Sequence, residues 1–254
     1  MSVKQKNPYL ATLRPRQWTK NLIVFAAPLF AFNLSVQALL GSLLAFGLFC
    51  CTSSSFYLVN DLADVESDRK HPVKCNRPIA AGLISVPSAM AMSVVLLGGS
   101  LSTAWLFNRG LGAAITCYAL LQVAYNLKLK RTVILDVLAI ATGFVLRAYG
   151  RAAATNVVLS SWFLLCTGML ALFLGIEKRK AEIRLAEFKG GPTRAVLSRY
   201  SPDLLSRMEN TVTTGAVMTY AIWSSGPNVS SIHCVDATDI ALSAIWNFPL
   251  PASE

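Results

Sequence analysis

LLGSLLAFGLFCCTSSSFYLVNDLAD, residues 39–64, is the stretch from which the architecture of this chain follows. No charged side chain occurs between Leu39 and Val59, and the stretch then reaches Asp61 and Asp64. An uncharged run of about 20 residues has the length that a helix needs to cross a membrane. The stretch therefore predicts a spanning helix whose end carries carboxylates at the edge of the lipid.

The rest of the chain repeats this pattern. Hydrophobic residues make up 54% of the 254 residues and charged residues only 14%, which is more apolar than soluble domains are. Long apolar runs recur at 21–36, 38–59, 86–107, 111–127, 133–153, 157–176 and 210–224. We therefore predict an all-α fold, a polytopic transmembrane helix bundle of about seven spans.

The basic residues predict the orientation of this bundle. All Lys and Arg residues except Arg109, Arg147 and Arg151 fall in segments that the apolar runs place on one side. Basic loops remain in the cytoplasm, so we predict a multi-pass plasma-membrane protein with a cytoplasmic N terminus and active face. No aromatic residues interleave the basic ones as in a nucleic-acid interface, and we expect no nucleic-acid partner. For Arg147 and Arg151 we expect structural roles.

The segment after the second run begins with an acidic half. Asn60, Asp64 and Asp68 recur every four residues and Asp61 lies three before Asp64, so a continuing helix puts all four on one face. Clustered carboxylates repel one another, and Mg²⁺ is held by such oxygens together with phosphate. We predict that Asp61, Asp64 and Asp68 are catalytic and bind the metal, and that Asn60 contacts substrate. The alternative is a solvated helix end after a span.

The basic half of the same segment follows directly. Arg and Lys side chains supply the donors that suit phosphate, and we predict that Lys74 and Arg77 bind it. His71 is expected to be a hydrogen-bonding loop residue. Cytoplasmic topology alone is the alternative explanation for basic residues here.

These motifs resemble a known family. NDxxDxxxD followed by RxHPxKxxRPIxxG, within residues 60–82, resembles the first aspartate-rich motif of the UbiA superfamily of intramembrane prenyltransferases. LRPRQWTKN at 13–21 and YNLKLKR at 125–131 are similar to that family's first segment and second cytoplasmic loop. The resemblance covers about residues 10–225. It implies a nine-helix fold, magnesium as cofactor, and further substrate contacts from Lys20, Tyr125, Lys130, Arg131 and Asp136.

A departure from the family pattern narrows the implied reaction. Members that prenylate an aromatic acceptor carry a second aspartate-rich motif after the sixth helix, where this chain has EKRKAEI at 177–183. The chain is most similar to members that join phosphoribosyl diphosphate to a polyprenyl phosphate such as decaprenyl phosphate. The resemblance thus implies phosphoribosyl transfer in bacterial cell-wall synthesis. A basic patch suits a phosphate that is bound without being released in the reaction, so we predict that the lipid phosphate is bound by Lys178, Arg179 and Lys180. The alternative is again that these basic residues only reflect the cytoplasmic side of the membrane.

Two other functions stay open. One is transfer of a polyprenyl group from its diphosphate to an aromatic acceptor, and the other is an inactive copy that only binds lipid phosphate. The stretch from Gly226 onward is too polar to span a membrane. We therefore predict a UbiA-like catalytic domain over residues 1–225 and a divergent, non-spanning tail over 226–254, with about seven spans against the family's nine.

Overall fold

The computed structural model of the protein describes residues 7–25, 35–155, 159–189 and 197–225. In these ranges every regular element is helical. The α-helices are α1 (Pro8–Thr12), α2 (Val36–Ala63), α3 (Val65–Lys70), α4 (Val86–Phe107), α5 (Arg109–Leu127), α6 (Leu135–Thr155), α7 (Ser161–Lys189) and α8 (Pro202–Ser224). Short 3-10 helices cover Pro15–Phe25, Lys74–Asn76, Leu129–Arg131 and Leu197–Arg199.

Several of these helices are membrane spans. Within the described ranges, 5 helices are long and apolar enough to cross a membrane: α2 from Leu39, α4, α5, α6, and α7 as far as Ala186. The protein is therefore a multi-pass membrane protein, and α4 coincides with the predicted run 86–107.

Two of the seven predicted runs are not among these spans. The run 21–36 lies partly outside the described residues, and the run 210–224 is the second half of α8. The first half of α8 carries Asp203, Arg207 and Glu209, which make the helix as a whole less apolar. These two spans stay predictions, and the predicted tail 226–254 lies outside the described residues.

The chain divides into two compact units. The first comprises Met1–Thr132 and Thr142–Val158, and the second comprises Val133–Ala141 and Leu159–Glu254, so far as these ranges are described. Helix α6 therefore gives its first residues to the second unit and its remainder to the first. Each unit carries one cluster of charged side chains.

Helix α2 is joined to α4 in the first unit by buried hydroxyl groups. Thr52 Oγ1 and Ser100 Oγ lie 2.9 Å apart, and Ser55 Oγ donates to the Ser93 carbonyl at 2.9 Å. Inside a membrane bundle, side-chain hydrogen bonds of this kind hold helices together because a lipid environment offers them no other partner. The hydroxyl-rich stretch that follows Cys51 thus fixes α2 in its unit.

The segment after α1 is also fixed to α2. Trp18 Nε1 donates to Ser54 Oγ at 3.1 Å, and Ser54 Oγ donates to the Leu13 carbonyl at 2.9 Å. Between these contacts Arg14 adopts the left-handed region, with φ of 54°. A non-glycine residue there costs about 1–3 kcal/mol and is held only where the surroundings enforce it. The turn places Arg14 beside the end of α2.

The two arginines of α6 are buried in the first unit. Arg147 donates to Asn21 Oδ1 at 2.6 Å, to the Gly143 carbonyl at 2.8 Å and to the Tyr118 hydroxyl at 2.7 Å. Arg151 donates from Nε to Ser42 Oγ at 3.1 Å, while its Nη1 and Nη2 have no hydrogen-bond partner in the described part of the chain. The contacts of Arg147 agree with the structural role expected from the sequence.

The core of the second unit lies between α6, α7 and α8. Val137, Ile176, Leu205 and Val212 are buried together. Gly175 permits the close approach of two helices, because a Cβ atom there would lie 2.7 Å from Val137 Cγ1. This packing brings the first turn of α6 to the charged part of α7.

Candidate functional site

The acidic motif of the first unit lies where α2 gives way to α3. Asp64 is the turn residue between the two helices, with φ of −98° and ψ of 6°. Backbone hydrogen bonds from Asp64 to Asn60 at 3.0 Å and from Asp68 to Asp64 at 2.8 Å continue across the break. The prediction of one continuous helical face is therefore wrong at Asp64: Asp61 and Asp68 are buried, Asn60 is half-buried, and Asp64 is exposed.

Arg77 joins the two buried carboxylates. Its Nη1 donates to Asp61 Oδ1 at 2.9 Å and to Asp68 Oδ2 at 2.6 Å. Lys74 Nζ lies 4.0 Å from Asp68 Oδ1. Between α3 and Lys74 the chain turns back towards Asp68. His71 Nδ1 stabilises this turn by accepting hydrogen bonds from the Val73 and Lys74 N–H groups, at 3.2 and 3.3 Å. His71 is thus a loop residue, as its sequence neighbours indicate.

Arg14 completes this cluster and was not among the predicted site residues. Its Nη2 donates to Asp61 Oδ1 at 2.5 Å, and its guanidinium lies 5.0 Å from the centre of the Tyr57 ring. The signal that could have identified Arg14 is its place in the family-like stretch 13–21, where Lys20 was the predicted site residue. The left-handed turn at Arg14, which no pattern of residue types specifies, brings its side chain to Asp61.

The cluster carries more positive than negative charge. Two buried carboxylates, Asp61 and Asp68, face three basic side chains that are partly exposed: Arg14 at 28%, Lys74 at 46% and Arg77 at 29%. The carboxylates therefore orient cationic donors whose outer sides remain open to a ligand. Donors that are held in place in this way suit the charge of a phosphate group.

The same carboxylates fit a magnesium ion only together with ligands from outside the chain. In the described ranges no three His, Cys, Asp or Glu side chains lie close enough to hold a metal. Asp61 and Asp68 nevertheless converge on one cationic nitrogen of Arg77, and Asp64, between them in the chain, is exposed. Magnesium commonly uses one or two carboxylates and completes its shell with water and phosphate oxygens. The donor set is of that kind.

Four other predicted residues lie elsewhere in the first unit. Tyr125 is half-buried near the end of α5, Lys130 and Arg131 belong to the following 3-10 helix, and Lys20 is exposed in the helix Pro15–Phe25. Their roles in substrate binding stay predictions.

The second unit holds a separate, buried ion pair. Asp136 accepts hydrogen bonds from Arg179 Nε at 2.9 Å and from the Tyr200 hydroxyl at 2.5 Å. Arg179 is only 1% exposed and also donates to Glu182 at 2.5 Å. The Tyr200 oxygen accepts from the Ile134 N–H at 2.9 Å, and Ile134 is held in the left-handed region with φ of 70°. Both carboxylate oxygens of Asp136 are thus occupied by side chains of the protein, Arg179 and Tyr200.

The basic patch predicted on α7 is largely neutralised. Lys180 pairs with Glu177 at 3.5 Å and with Glu209, and Arg179 is buried against acids. Lys178 is 55% exposed and lies 4.0 Å from Glu182. Phosphate binding by these three residues stays a prediction, and the geometry favours Lys178 for it because the other two are paired internally.

We expect Tyr200→Phe to destabilise the protein by about 1–3 kcal/mol at pH 7, because it leaves the buried Asp136 carboxylate and the Ile134 N–H one partner short. Burial, followed by the hydrogen bond to Asp136, raises the pKa of Tyr200 above its ordinary value near 10. A raised folded-state pKa contributes stability that is complete below about pH 10 and is lost as the pH rises further.

The check is thermal unfolding of the detergent-purified wild type and Tyr200→Phe between pH 7 and 11. The variant should start lower and lose less stability at the alkaline end. Equal stability at pH 7, or equal alkaline losses, would contradict this role of the hydroxyl.

Comparisons with known proteins agree with the fold. The sequence profile of the UbiA prenyltransferase family matches residues 21–195. The structure of a UbiA homologue from Archaeoglobus fulgidus bound to DMAPP and Mg²⁺ superposes with a TM-score of 0.69 at 21% identity, over 94% of this chain and 84% of that one. A structure of digeranylgeranylglyceryl phosphate synthase gives a TM-score of 0.72 at 19% identity, over 94% and 84%.

Two relatives are more similar in sequence. The decaprenyl-phosphate phosphoribosyltransferase of Mycolicibacterium smegmatis is 35% identical over 246 residues, which cover 94% of this chain and 77% of the relative. The protein with the same name from Corynebacterium glutamicum is 40% identical over 235 residues, which cover 90% and 69%. The similarity extends over all five described spans.

Proposed function

Since the chain belongs to the UbiA prenyltransferase family, we propose that it transfers the 5-phosphoribosyl group of phosphoribosyl diphosphate to a polyprenyl phosphate, such as decaprenyl phosphate, and releases diphosphate. The observation that carries the proposal is the identity of 35% and 40% to two phosphoribosyltransferases along most of the chain. The surplus of basic side chains around Asp61 and Asp68 supports it, because both substrates are phosphates. Magnesium dependence, a bacterial plasma membrane and a cytoplasmic active face belong to the same proposal.

The basic residues of the first unit bind the departing group. Arg14, Lys74 and Arg77 hold oxygens of the diphosphate, and Asp61 orients the guanidinium of Arg14. Asp61 and Asp68 would hold magnesium together with phosphate oxygens, and Asp64 is the third ligand predicted from the sequence. When bound, the ion neutralises the charge that grows on the diphosphate. Because the polyprenyl phosphate is already ionised at neutral pH, the chain supplies orientation and charge rather than a strong base.

The bond changes are those of a displacement at the anomeric carbon. A phosphate oxygen of the lipid forms a bond to that carbon as its bond to the diphosphate oxygen breaks, and the diphosphate keeps the electron pair. Lys178 is the candidate for binding the lipid phosphate, since it is exposed. Asn60, Lys20, Tyr125, Lys130 and Arg131 remain further candidates for substrate contacts.

Prenyl transfer to an aromatic acceptor is the second candidate function. The observation that favours it is the fold, since a UbiA homologue of the same architecture binds GPP and Mg²⁺. On this alternative the basic residues of the first unit would bind the diphosphate of the prenyl donor instead. The two candidate reactions thus share one diphosphate site and release the same diphosphate. They differ in the group that is transferred, phosphoribosyl or prenyl.

The test is a transfer assay in membranes that contain the protein. One reaction contains labelled phosphoribosyl diphosphate, a polyprenyl phosphate and magnesium, and a parallel reaction contains a labelled prenyl diphosphate and an aromatic acid. We expect a lipid-linked phosphoribosyl product in the first reaction that disappears when magnesium is chelated. Product only in the second reaction would favour prenyl transfer, and product in neither, from well-expressed protein, would favour an inactive copy.

We expect Arg14→Gln to raise the KM for phosphoribosyl diphosphate by about 10-fold or more. A charge-assisted hydrogen bond to a phosphate contributes about 1.5–3 kcal/mol, and each 1.4 kcal/mol is a factor of ten in affinity. Steady-state kinetics in the transfer assay measures the change. The matched control is Arg16→Gln, which removes an exposed arginine two positions further along, in the 3-10 helix that follows Arg14, and should leave the KM unchanged. Equal effects of the two substitutions would show that Arg14 acts only through general charge.

A further inference from the structure

Arg77 occupies the point at which the two buried carboxylates meet. Asp61 and Asp68 are 4% and 2% exposed, and one nitrogen of Arg77 lies within 2.9 Å of an oxygen of each. Two neighbouring carboxylates in a buried site repel each other unless a cation lies close to both. Arg77 is therefore the counterion of this pair.

The same two carboxylates belong to the magnesium set of the proposed function. A magnesium ion binds carboxylate oxygens at about 2.0–2.1 Å, in the region where Arg77 Nη1 donates hydrogen bonds to both carboxylates. A metal ion bound between Asp61 Oδ1 and Asp68 Oδ2 would take the position of Arg77 Nη1. The two cations therefore compete for one position.

We propose that Asp61 and Asp68 exchange Arg77 for the divalent ion, and that the released guanidinium then binds the diphosphate of the substrate. This inference rests on the metal-dependent step of the proposed function. Arg77 is 29% exposed, so part of its side chain is accessible to a ligand. Lys74 beside it is 46% exposed and binds the same anion.

Arg14 makes the exchange possible without leaving Asp61 unpaired. Arg14 donates to the same Asp61 oxygen as Arg77, at 2.5 Å, but from the segment that precedes α2, and its stacking on Tyr57 holds the guanidinium in place. Asp61 therefore keeps one cationic partner throughout, whereas Arg77 is the partner that moves. The consequence is that metal and diphosphate each favour the binding of the other, since coupling between two ligands is reciprocal.

The test measures metal affinity directly on the purified full chain in detergent, by electron paramagnetic resonance of Mn²⁺ and without any anion. Mn²⁺ accepts the same oxygen ligands as magnesium. The exchange predicts that Arg77→Gln binds Mn²⁺ at least about 10-fold more tightly than the wild type, within the 5–150-fold range typical of coupled sites. The matched control is Lys74→Gln, which removes a positive charge 4.0 Å from Asp68 but none from between the carboxylates. It should change the affinity by less than about 3-fold, as expected of a screened, exposed charge.

A second measurement adds inorganic diphosphate, with a protein-free titration to subtract the Mn²⁺–diphosphate complex formed in solution. Diphosphate should tighten Mn²⁺ binding to the wild type by about 5-fold or more and tighten binding to Arg77→Gln clearly less. If Arg77→Gln folds poorly, Arg77→Lys takes its place. Lysine retains a positive charge for the buried acids but lacks the planar guanidinium that joins them. Arg77→Lys should therefore also bind Mn²⁺ more tightly than the wild type, by a smaller factor than Arg77→Gln.

Three results would overturn the exchange. They are an unchanged or weaker Mn²⁺ affinity of Arg77→Gln, an equal effect of Lys74→Gln, and a wild type that binds no Mn²⁺. Neither lipid nor ribose is present in these measurements, so they separate the inference from the reaction. If the wild type forms the phosphoribosyl product but Arg77→Gln has an unchanged Mn²⁺ affinity, only the exchange is refuted. If Arg77→Gln binds Mn²⁺ more tightly but the wild type forms no such product, only the proposed transfer is refuted.

Discussion

Substitution of Asp64 by Asn is expected to reduce phosphoribosyl transfer by at least about 100-fold and to leave the protein folded. Asp64 is exposed at the turn between α2 and α3, and in the described part of the chain its side chain has no hydrogen bond or ion pair. It is therefore available to a metal ion, and loss of a metal ligand removes several kcal/mol of stabilisation from the departing diphosphate. Each 1.36 kcal/mol corresponds to a factor of ten in rate. The transfer assay, run at equal protein levels, measures the effect.

The matched control for this substitution is Glu66→Gln. Glu66 is also exposed and lies two positions along the chain, in the first turn of α3. Its substitution removes the same charge from an exposed position nearby in the chain and should change the rate by less than about 2-fold, as expected for an exposed residue outside the site. Activity retained in Asp64→Asn, or lost equally in Glu66→Gln, would exclude a specific role of Asp64.

Substitution of Asp136 by Leu is expected to destabilise the protein by about 3–5 kcal/mol. Removing one partner of a buried ion pair leaves the other charge without compensation, and Arg179 is only 1% exposed. Apparent melting temperature in detergent should fall by about 10 °C. The double variant Asp136→Leu/Arg179→Met should recover most of the loss, because two apolar side chains can replace a buried pair at little cost.

This cycle also decides between two roles of Arg179. If Arg179 binds the lipid phosphate, as the sequence predicts, the double variant is stable and still has a strongly raised KM for polyprenyl phosphate. If its role is structural, the double variant keeps its KM. Lys178→Ala is the control for stability, since an exposed residue with a 4.0 Å pair should change it by less than about 0.5 kcal/mol. A stable Asp136→Leu variant would refute the ion-pair argument.

The sequence predicted the helices well because lipid imposes a length and a composition. The apolar runs 86–107 and 133–153 correspond to α4 and α6 within two residues at each end. The prediction was less accurate where a helix leaves the apolar region. The run 157–176 ends inside α7, which begins at Ser161 and continues to Lys189, because the Lys, Arg, Glu and Ala residues that follow the apolar run are also good helix formers.

The candidate site was predicted as a set of residue types but not as a set of contacts. Spacing along one helix placed Asp61 and Asp68 together correctly, since seven residues are about two turns. The spacing could not show that the chain turns at Asp64. It also could not show that the 3-10 helix Lys74–Asn76 places Arg77 between the two acids. The pairing of Asp136 with Arg179 spans 43 positions, and local patterns carry no information about partners so distant in the chain.

The buried arginines of α6 have a consequence for biogenesis. A charged side chain at the centre of a membrane helix opposes insertion by about 2.5–3.5 kcal/mol, and α6 carries both Arg147 and Arg151. Their partners Asn21, Ser42 and Tyr118 all precede α6 in the chain and therefore leave the ribosome first. Insertion of α6 is thus favoured by segments already delivered to the bilayer, and the order of synthesis supplies the acceptors that this helix needs.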